Sequence, residues 1–290
     1  MPLWSDIAAA IRRASGAFEI EVRAPLAGGC IHDACRIEGG GQRYFVKTNR
    51  AECIGMFAAE AAGLEAIAAT GALRVPRPVC HDANREASWL VLEYIELERK
   101  GSGRRLGERL AALHRATGER YGWPRFNYIG ALPQINTLTA DWCAFWREHR
   151  LGYQLKLAAS NGYTGRLQEL GERLMAHLPA LLDGHAPPPS LLHGDLWSGN
   201  AAFAAGGEPV VFDPAVYYGD READLAMTEL FGGFGADFYT AYREAYPLEE
   251  GYARRKTLYN LYHVLNHLNL FGGGYLAQAE AMMEKLLAHA

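Results

Sequence analysis

A carboxylate and an amide lie five positions apart in the stretch LLHGDLWSGNAAF, residues 191–203, which runs between two apolar segments. The carboxylate belongs to Asp195 and the amide to Asn200, and a second carboxylate, Asp213, ends the apolar run VVFD. Oxygen ligands of this kind suit a hard cation such as Mg²⁺, which takes one or two carboxylates together with water and phosphate oxygens. The set therefore indicates phosphate chemistry on a magnesium complex, in which Asp195 could accept the proton of a substrate hydroxyl.

Two short apolar segments, SLLH and PVVFD, must hold these groups, and we expect them to form strands. Paired as a hairpin, they would put the three polar side chains on adjacent turns. Asp and Asn beside Gly are also common turn formers, so the pattern HxDxxxxN alone is typical of a plain turn as well. Matching features in the first half of the chain favour a functional site over a plain turn as the explanation of this pattern.

A lysine and a glutamate thirteen positions apart are those matching features. Lys47 lies in the predicted strand YFVKTN, and Glu60 lies in the middle of the helix that follows. Phosphoryl transfer needs a cation on the nucleotide phosphates, and a carboxylate from a neighbouring element can hold that cation in place. A strand lysine and a helix glutamate are usually solvated surface groups, but the apolar neighbours of Lys47 argue for an inward side chain.

A double glycine precedes the lysine, in the segment LAGGCIHDA between the first two predicted strands. The backbone N–H groups of Gly28 and Gly29 could approach phosphate oxygens there. The segment has neither the GxGxxG spacing of protein kinases nor the GKS or GKT of a Walker loop, so it is weak evidence on its own. Its position before Lys47 makes it a candidate phosphate-binding loop.

Hydrophobic periodicity predicts the elements that position these groups. The first half predicts a helix over 3–14, a strand in FEIEVRAPL, two strands around the turn 39–41, a helix over 51–69, an extended crossing in VPRP and a buried strand over 88–97. The charged stretch ERKGSGRR is the best candidate for a linker between the two halves of the chain. Helical stripes then follow in RRLGERLAALHRAT, DWCAFWREHRLGYQLKLAA, GRLQELGERLMAHLPALL, YARRKTLYNLYHVLNHLNLF and LAQAEAMMEKLLAHA.

This order of elements predicts an α+β fold with two lobes. A small antiparallel-sheet lobe with one key helix would cover residues 1–93, a hinge 94–98, and a larger, mainly helical lobe 99–290. A plan of this kind leaves a cleft at the join, where ligands commonly bind.

Composition argues against several classes of function. The 290 residues carry a net charge of −4, so no global basic field attracts nucleic acid or anionic lipid. No apolar run approaches the roughly 20 residues of a membrane span. The 5 cysteines are scattered, form no CxxC pair and do not complete a zinc site. We therefore expect a cytoplasmic, thiol-reduced protein without a nucleic-acid or membrane partner.

Seven motifs together resemble one family. They are FVKTN, MFAAEAAGL, VPRP, HGDLWSGN, VVFDPAVYYGDREADLAM, FGGF and HVLNHLNLFGGGY, and they resemble the fructosamine kinases, also called ketosamine kinases. That family has the protein-kinase-like fold, which it shares with aminoglycoside and choline kinases. The tryptophan of HGDLWSGN and the run YYGDREADLAM separate it from the broader group. The resemblance implies a bilobal protein-kinase-like fold and ATP-dependent phosphorylation of the sugar 3-hydroxyl in ketoamine adducts.

The resemblance also implies a role for each matching polar residue. Asp195 would orient and deprotonate the sugar hydroxyl. Asn200 and Asp213 would hold Mg²⁺, while Lys47 would contact the phosphates of ATP and Glu60 would hold the lysine. ATP and Mg²⁺ are therefore the expected cofactors.

The nucleotide base and the loop supports are assigned in the same way. The backbone of Glu93, Tyr94 and Ile95 would read the adenine from the connection between the lobes. Asp224 would accept hydrogen bonds from the backbone of the Asp195 loop, which His193 would also support.

Contacts to the ketoamine itself are expected from Trp197, Asp220, Arg221 and His267, since the substrate offers hydroxyls and a protonated amine. Cys30, in the glycine-rich loop beside the expected phosphates, is a candidate redox switch, because backbone N–H groups and bound cations make a thiol more reactive. Its oxidation, for example to a disulfide across a dimer, would stop ATP binding. The sequence leaves monomer and homodimer open.

Two other functions fit part of the pattern. An aminoglycoside or choline kinase of the same fold would use the same chemistry with a different pocket. A catalytically inactive nucleotide-binding scaffold should have lost the lysine, the base or a metal ligand, yet all of them are present. The sequence does not decide which ketosamine is the substrate, or whether it is free or attached to a protein.

Overall fold

A computed structural model describes residues 2–26, 32–98 and 100–288. The α-helices of these residues are Pro2–Ser15 (α1), Ile54–Ala69 (α2), Gly103–His114 (α3), Trp142–Phe145 (α4), Tyr153–Ser160 (α5), Arg166–Leu181 (α6), Glu222–Leu230 (α7), Ala236–Ala245 (α8), Tyr252–Phe271 (α9) and Leu276–Leu287 (α10). The strands are Val22–Leu26 (β1), Asp33–Gly39 (β2), Gln42–Arg50 (β3), Pro78–Ala83 (β4), Ala87–Glu93 (β5), Asn127–Ile129 (β6), Leu132–Gln134 (β7), Ser190–Leu192 (β8), Ala201–Ala204 (β9), Glu208–Val211 (β10) and Tyr217–Gly219 (β11). Within the same ranges, no helix combines the length and the apolar character that a membrane crossing requires.

The chain folds into two compact units. The first contains Met1–Ser102 and Ala201–Pro214, and the second contains Gly103–Asn200 and Ala215–Ala290. The boundaries expected from the sequence give residues 201–214 to the later lobe, whereas the structure gives them to the first unit. The reason is that the β9–β10 hairpin bonds to the first unit through its backbone: Phe203 N donates to Glu98 O at 3.0 Å, and Val211 N donates to Arg74 O at 3.0 Å.

The first unit is built on a five-stranded antiparallel sheet with the strand order β1-β2-β3-β5-β4. Helix α1 packs on one face, where Ile7 and Ile11 join a core with Val46 and Val91. Because side chains alternate along a strand, Lys47 points to the opposite face. Helix α2 lies on that face, since its Glu60 reaches the Lys47 ammonium. The alternation of side chains along β3 therefore places the buried Lys47 on the face of the sheet that α2 covers.

The second unit is mainly helical and has one large apolar core. Helix α9 runs through that core and buries Leu261, Val264 and Leu265 in it. A π-helix, Trp146–Gly152, joins α4 to α5 and contributes Trp146. A π-helical turn inserted between α-helical segments is frequently found at a functional site.

Most elements follow the sequence pattern. The helix expected over 3–14, the three strands in the first 50 residues and the helix over 51–69 are confirmed by α1, β1–β3 and α2. The helix expected in DWCAFWREHRLGYQLKLAA is present as α4, the π-helix and α5 in succession. Two strands were predicted too long: β1 begins only at Val22, although the N–H of Glu21 still donates to Glu38 O at 2.9 Å, and β5 ends at Glu93.

The expected hairpin between SLLH and PVVFD is wrong. Strand β8 pairs with β11, and β10 pairs with β9, so the two segments belong to different ladders. Strand β4 and helix α8 are not predicted by the pattern either. Strand β4 is an edge strand with a register shift and an irregular run of side chains, and α8 presents only a short apolar stripe, Phe238, Ala241 and Tyr242.

Candidate active site

Lys47 lies between two carboxylates in the first unit. Its Nζ donates to Glu60 Oε1 at 2.7 Å and to Asp213 Oδ1 at 2.5 Å. Burial disfavours a charged ammonium, but the two carboxylates outweigh that effect and raise the pKa of Lys47 above its usual value. The lysine is therefore a fixed cation at every physiological pH, which is what phosphate binding requires.

Asp213 follows β10 and has an unusual backbone. Its φ is 57°, and among the described residues it is the one non-glycine residue with positive φ. Asp tolerates the left-handed region better than most residues, yet a single residue of this kind persists only where its surroundings hold it. The conformation directs a half-exposed carboxylate to Lys47, which marks Asp213 as a candidate functional residue.

In the second unit, Asp195 and Asn200 form one compact loop after β8. Asn200 Nδ2 donates to the backbone oxygen of Asp195 at 2.9 Å and to its Oδ2 at 3.3 Å. The backbone N–H of Asn200 donates to Trp197 O at 2.9 Å, which closes the turn. The five-residue spacing read from the sequence therefore corresponds to a carboxylate and an amide in direct contact.

Asp224 at the start of α7 fixes the backbone of this loop. Its carboxylate accepts from the backbone N–H of His193 at 2.7 Å and of Gly194 at 2.8 Å, and His114 Nε2 lies 3.1 Å from it. Burial alone would raise the pKa of Asp224, but the hydrogen bonds, first from His114, lower it. The fully buried His193 also supports the loop, because its Nδ1 accepts from the backbone N–H of Asp195 at 3.3 Å.

Replacing Asp224 with Asn should lower the unfolding free energy at pH 7 by about 3 kcal/mol, since a buried charged acceptor of several hydrogen bonds is lost. The lowered pKa means that this stabilisation is present above the ordinary carboxyl range and is lost as the pH falls below about 4. The variant should therefore lose the parent's stability difference between pH 7 and pH 3. Urea unfolding at both pH values checks this.

Asp237→Asn is the matched control, because Asp237 also accepts from a backbone N–H, that of Arg104, but on the surface. We expect Asp237→Asn to keep the parental difference in unfolding free energy between pH 7 and pH 3. If Asp224→Asn showed the parental difference in unfolding free energy between the two pH values, the assigned role of Asp224 would be contradicted.

Ala215 connects the loop to a buried polar network that the residue pattern does not reveal. Its N–H donates to His193 O at 2.8 Å, and its carbonyl accepts from Gln134 Nε2 at 2.9 Å. The same carbonyl packs on Gly194, where an added Cβ would lie 2.0 Å from the oxygen. Asn127 Nδ2 donates to Val216 O at 2.8 Å, so two amide side chains hold this backbone.

Arg150 of the π-helix continues the network. It is fully buried, its Nη2 donates to Asn136 Oδ1 at 2.9 Å, and its guanidinium lies 4.0 Å from the ring centroid of Tyr217 and 5.4 Å from that of Tyr262. Tyr262 in turn donates to Gln134 at 2.9 Å. These polar residues are far apart in the sequence and lie in segments with apolar periodicity. A single buried amide has no sequence pattern of its own, so the network could not be predicted from the sequence.

The segment expected to read the adenine begins where β5 ends. The Glu93 carboxylate is held by Arg74 at 3.0 Å, and the Tyr94 ring is covered by the guanidinium of Arg43 at 5.1 Å. Ile95 and the following residues up to Leu97 have no regular structure. Both side chains are thus in contact with neighbouring arginines, and the backbone N–H of Glu93 donates to Arg77 O at 2.8 Å.

Two of the expected substrate contacts are accessible. Trp197 is 39% exposed, and its indole packs on Gly199, where an added Cβ would lie 2.2 Å from the ring. His267 on α9 is partly buried among Phe231 and Tyr275, and its Nδ1 lies 2.7 Å from His263 O. Both side chains have a fixed orientation and a surface that a ligand could reach.

Asp220 and Arg221 are placed differently. Asp220 is 1% exposed and accepts from Tyr259 Oη at 2.5 Å and from His185 Nε2 at 2.6 Å. Arg221 is also buried, and it donates to Tyr242 Oη at 3.1 Å. Their polar atoms are used inside the protein, so we do not retain them as substrate contacts. Gly28, Gly29 and Cys30 lie outside the described residues.

A buried lysine between carboxylates and an aspartate–asparagine loop are the groups of a phosphotransferase with the protein-kinase-like fold. Choline kinase LicA from Streptococcus pneumoniae has this fold: its solved structure superposes with a TM-score of 0.68 at 16% identity and covers 100% of both chains. The α+β, kinase-like fold class predicted from the sequence is thereby confirmed. Identity this low shows the fold alone.

The family follows from stronger matches. The fructosamine kinase family profile matches residues 3–289, so the chain belongs to the fructosamine kinase family, as the sequence motifs predicted. A Synechocystis protein named "Probable ketoamine kinase" is 51% identical over 98% of this chain and 97% of its own. The chloroplastic protein-ribulosamine 3-kinase of Arabidopsis thaliana is 42% identical over 90% of this chain and 81% of its own. The crystal structure of a candidate fructosamine-3-kinase from Haemophilus somnus has a TM-score of 0.89 at 30% identity, covering 98% of this chain and 99% of its own.

Proposed function

We propose that this chain transfers the γ-phosphoryl group of ATP to the 3-hydroxyl of ketosamines, the adducts that form when sugars glycate amines. One observation carries the proposal: a member of this family has Lys47 paired with two carboxylates and an Asp195–Asn200 loop, the groups to which the proposal assigns phosphoryl transfer. A scaffold that only binds nucleotide would not need the loop carboxylate. The names of the relatives, ketoamine kinase and protein-ribulosamine 3-kinase, support the substrate class.

Asn200 and Asp213 are the proposed Mg²⁺ ligands. One oxygen of Asp213 accepts from Lys47, which leaves the other oxygen on a side chain that is 48% exposed. The amide nitrogen of Asn200 donates to Asp195, so the amide oxygen is its ligand atom. One carboxylate and one amide oxygen fit Mg²⁺, which usually keeps several waters and phosphate oxygens as well. When bound, the ion would neutralise charge on the phosphates.

Lys47 and the chain after β5 are the proposed ATP contacts. The ammonium of Lys47 binds phosphate oxygens as a charge whose position Glu60 fixes. The backbone of Glu93, Tyr94 and Ile95 contacts the adenine.

Asp195 is the proposed general base. Asn200 orients its carboxylate through Oδ2, and Asp224 holds the backbone of its loop. The sugar hydroxyl gives its proton to the Asp195 carboxylate as the new bond from oxygen to phosphorus forms and the bond to the leaving oxygen of ADP breaks.

Trp197 and His267 are the proposed substrate contacts. A ketoamine carries a protonated amine, which an indole face attracts, and Trp197 lies only two positions from the base. Since the Nδ1 of His267 faces a carbonyl oxygen, that nitrogen carries the proton and Nε2 is left as an acceptor for a sugar hydroxyl. Burial lowers the pKa of His267, which keeps this acceptor neutral.

A cytoplasmic location is part of the proposal. It is supported by four described cysteines that are free thiols: Cys35, Cys53, Cys80 and Cys143. Disulfides are rare in reducing compartments.

A phosphate-transfer assay tests the function. The full chain with ATP and Mg²⁺ is given a panel of fructosamines, ribulosamines and erythrulosamines on free amino acids and on a glycated protein, with kanamycin and choline as the competing acceptors. Asp195→Asn is the blank. We expect ADP release and a phosphorylated sugar only with ketoamines. Preference for choline or kanamycin over every ketoamine would overturn the substrate assignment, and turnover of none of the acceptors would favour the inactive scaffold.

A further inference from the structure

His32 lies just before β2, on the face of the sheet that carries Lys47. In the antiparallel register Asp33 pairs with Thr48, so the preceding residue, His32, comes opposite Asn49. Side chains two positions apart on a strand share a face, which puts Asn49 beside Lys47. The 2.8 Å contact between His32 Nδ1 and Asn49 Nδ2 agrees with this register.

The hydrogen bonds of Asn49 determine which ring nitrogen of His32 carries the proton. The backbone N–H of Arg50 donates to Asn49 Oδ1 at 2.8 Å, so that end of the amide is the oxygen and the other end is the donor. Asn49 Nδ2 therefore donates to His32 Nδ1, which must be unprotonated. The proton of the neutral ring then resides on Nε2.

The ring is both neutral and held in one orientation. Burial, and secondly the nearby Lys47 ammonium, lower the pKa of His32 to about 4. The carboxylate of Asp213 acts in the opposite sense and raises the pKa, but it does not offset these two effects. Phe57 of α2 packs against it with ring centroids 4.9 Å apart. Within the described ranges, no residue accepts a hydrogen bond from Nε2.

We propose that His32 is a further nucleotide-binding residue, whose Nε2–H donates a hydrogen bond to a phosphate oxygen of ATP on the sheet face shared with Lys47. The inference rests on the proposed ATP-dependent function. Lys47 supplies charge, which attracts a phosphate from any direction, whereas a fixed N–H supplies direction and selects one oxygen. A neutral donor also leaves the charge balance of Lys47, Glu60 and Asp213 unchanged. An oriented ring loses little further freedom on binding.

Two substitutions separate the donor from the ring. His32→Phe keeps an aromatic ring against Phe57 and removes the N–H, while His32→Gln keeps an N–H donor and removes the ring. Calorimetry without any acceptor gives the Kd of MgATP and of adenosine for both variants and the parent. We expect His32→Phe to bind MgATP about tenfold more weakly, as for one hydrogen bond to a charged group, with unchanged binding of adenosine. His32→Gln should bind MgATP within about threefold of the parent.

Parental MgATP affinity in His32→Phe would overturn the inference. So would an equal loss for MgATP and adenosine, because that result would assign His32 to packing instead of to phosphate binding. Since no acceptor is present, the binding result does not depend on the substrate. A parent that binds MgATP but phosphorylates no ketoamine would contradict the proposed function and leave the His32 result intact.

Discussion

Asp195→Asn should reduce kcat by about 10³-fold and leave the Kd of MgATP within about twofold of the parent. The substitution keeps the size of the side chain, and its amide can still contact Asn200. It removes the proposed acceptor of the hydroxyl proton, while Lys47, the proposed phosphate ligand, belongs to the other unit and is unchanged. Initial rates of ADP release with a saturating ketoamine, together with calorimetry of MgATP, measure both quantities.

Asp183→Asn is the control for this experiment, because Asp183 is an exposed aspartate of the same unit, twelve positions before Asp195. It should retain the parental kcat and the parental Tm. If Asp195→Asn turned over ketoamine at the parental rate, Asp195 would not be the base. If Asp195→Asn lost MgATP binding as well, the Asp195 loop would have a role in binding the nucleotide and not in activating the ketoamine hydroxyl.

The local part of the candidate site could be predicted from the sequence. The pair of Lys47 and Glu60 spans one strand and the helix directly after it, so apolar alternation in the strand and helical periodicity after it are sufficient to orient both groups. Asp195 and Asn200 are likewise in one turn, and their contact follows from a separation of only five positions along the chain. Neither prediction needs tertiary information.

The long-range part could not be predicted. Lys47 meets Asp213 across 166 positions, and Gln134 meets Ala215 across 81 positions. The pairing of β8 with β11 also joins short apolar runs whose partners depend on the whole second unit. A run such as SLLH has no register of its own, because three residues fit several ladders equally well. These contacts come from the packed fold, and a pattern of residue types along the chain does not contain them.

Long-range assembly also explains why a sequence-based role for a polar residue can change in the structure. Asp220 and Arg221 directly precede α7 in a stretch that also marks the family, and the sequence makes them plausible substrate contacts. The structure buries both against α8 and α9 residues, Tyr242 and Tyr259. A buried charged group must be paired, so tertiary burial converts a candidate ligand into a support.

Lys47→Met should lower kcat/KM for ATP by about 10²-fold to 10³-fold, because a preorganised cation on the phosphates is lost. It should also lower the unfolding free energy by about 3 kcal/mol, since Glu60 is left almost fully buried without its partner. Steady-state kinetics with varied ATP and urea unfolding measure the two effects. Loss of activity from this variant alone could therefore come from a weakened fold.

The double variant Lys47→Met/Glu60→Leu separates these causes. Removing both members of a buried ion pair and filling their volume with apolar groups is often neutral, because no uncompensated charge remains buried. Asp213 also loses its lysine in the double variant, but its side chain is 48% exposed and water can solvate the charge. The double variant should therefore recover most of the stability lost in Lys47→Met, and a double-mutant cycle gives the coupling between the two side chains. Its kcat/KM for ATP should stay as low as that of the single variant. Recovery of kcat/KM along with stability would mean that Lys47 only holds α2 against the sheet, and ATP would then need another cation.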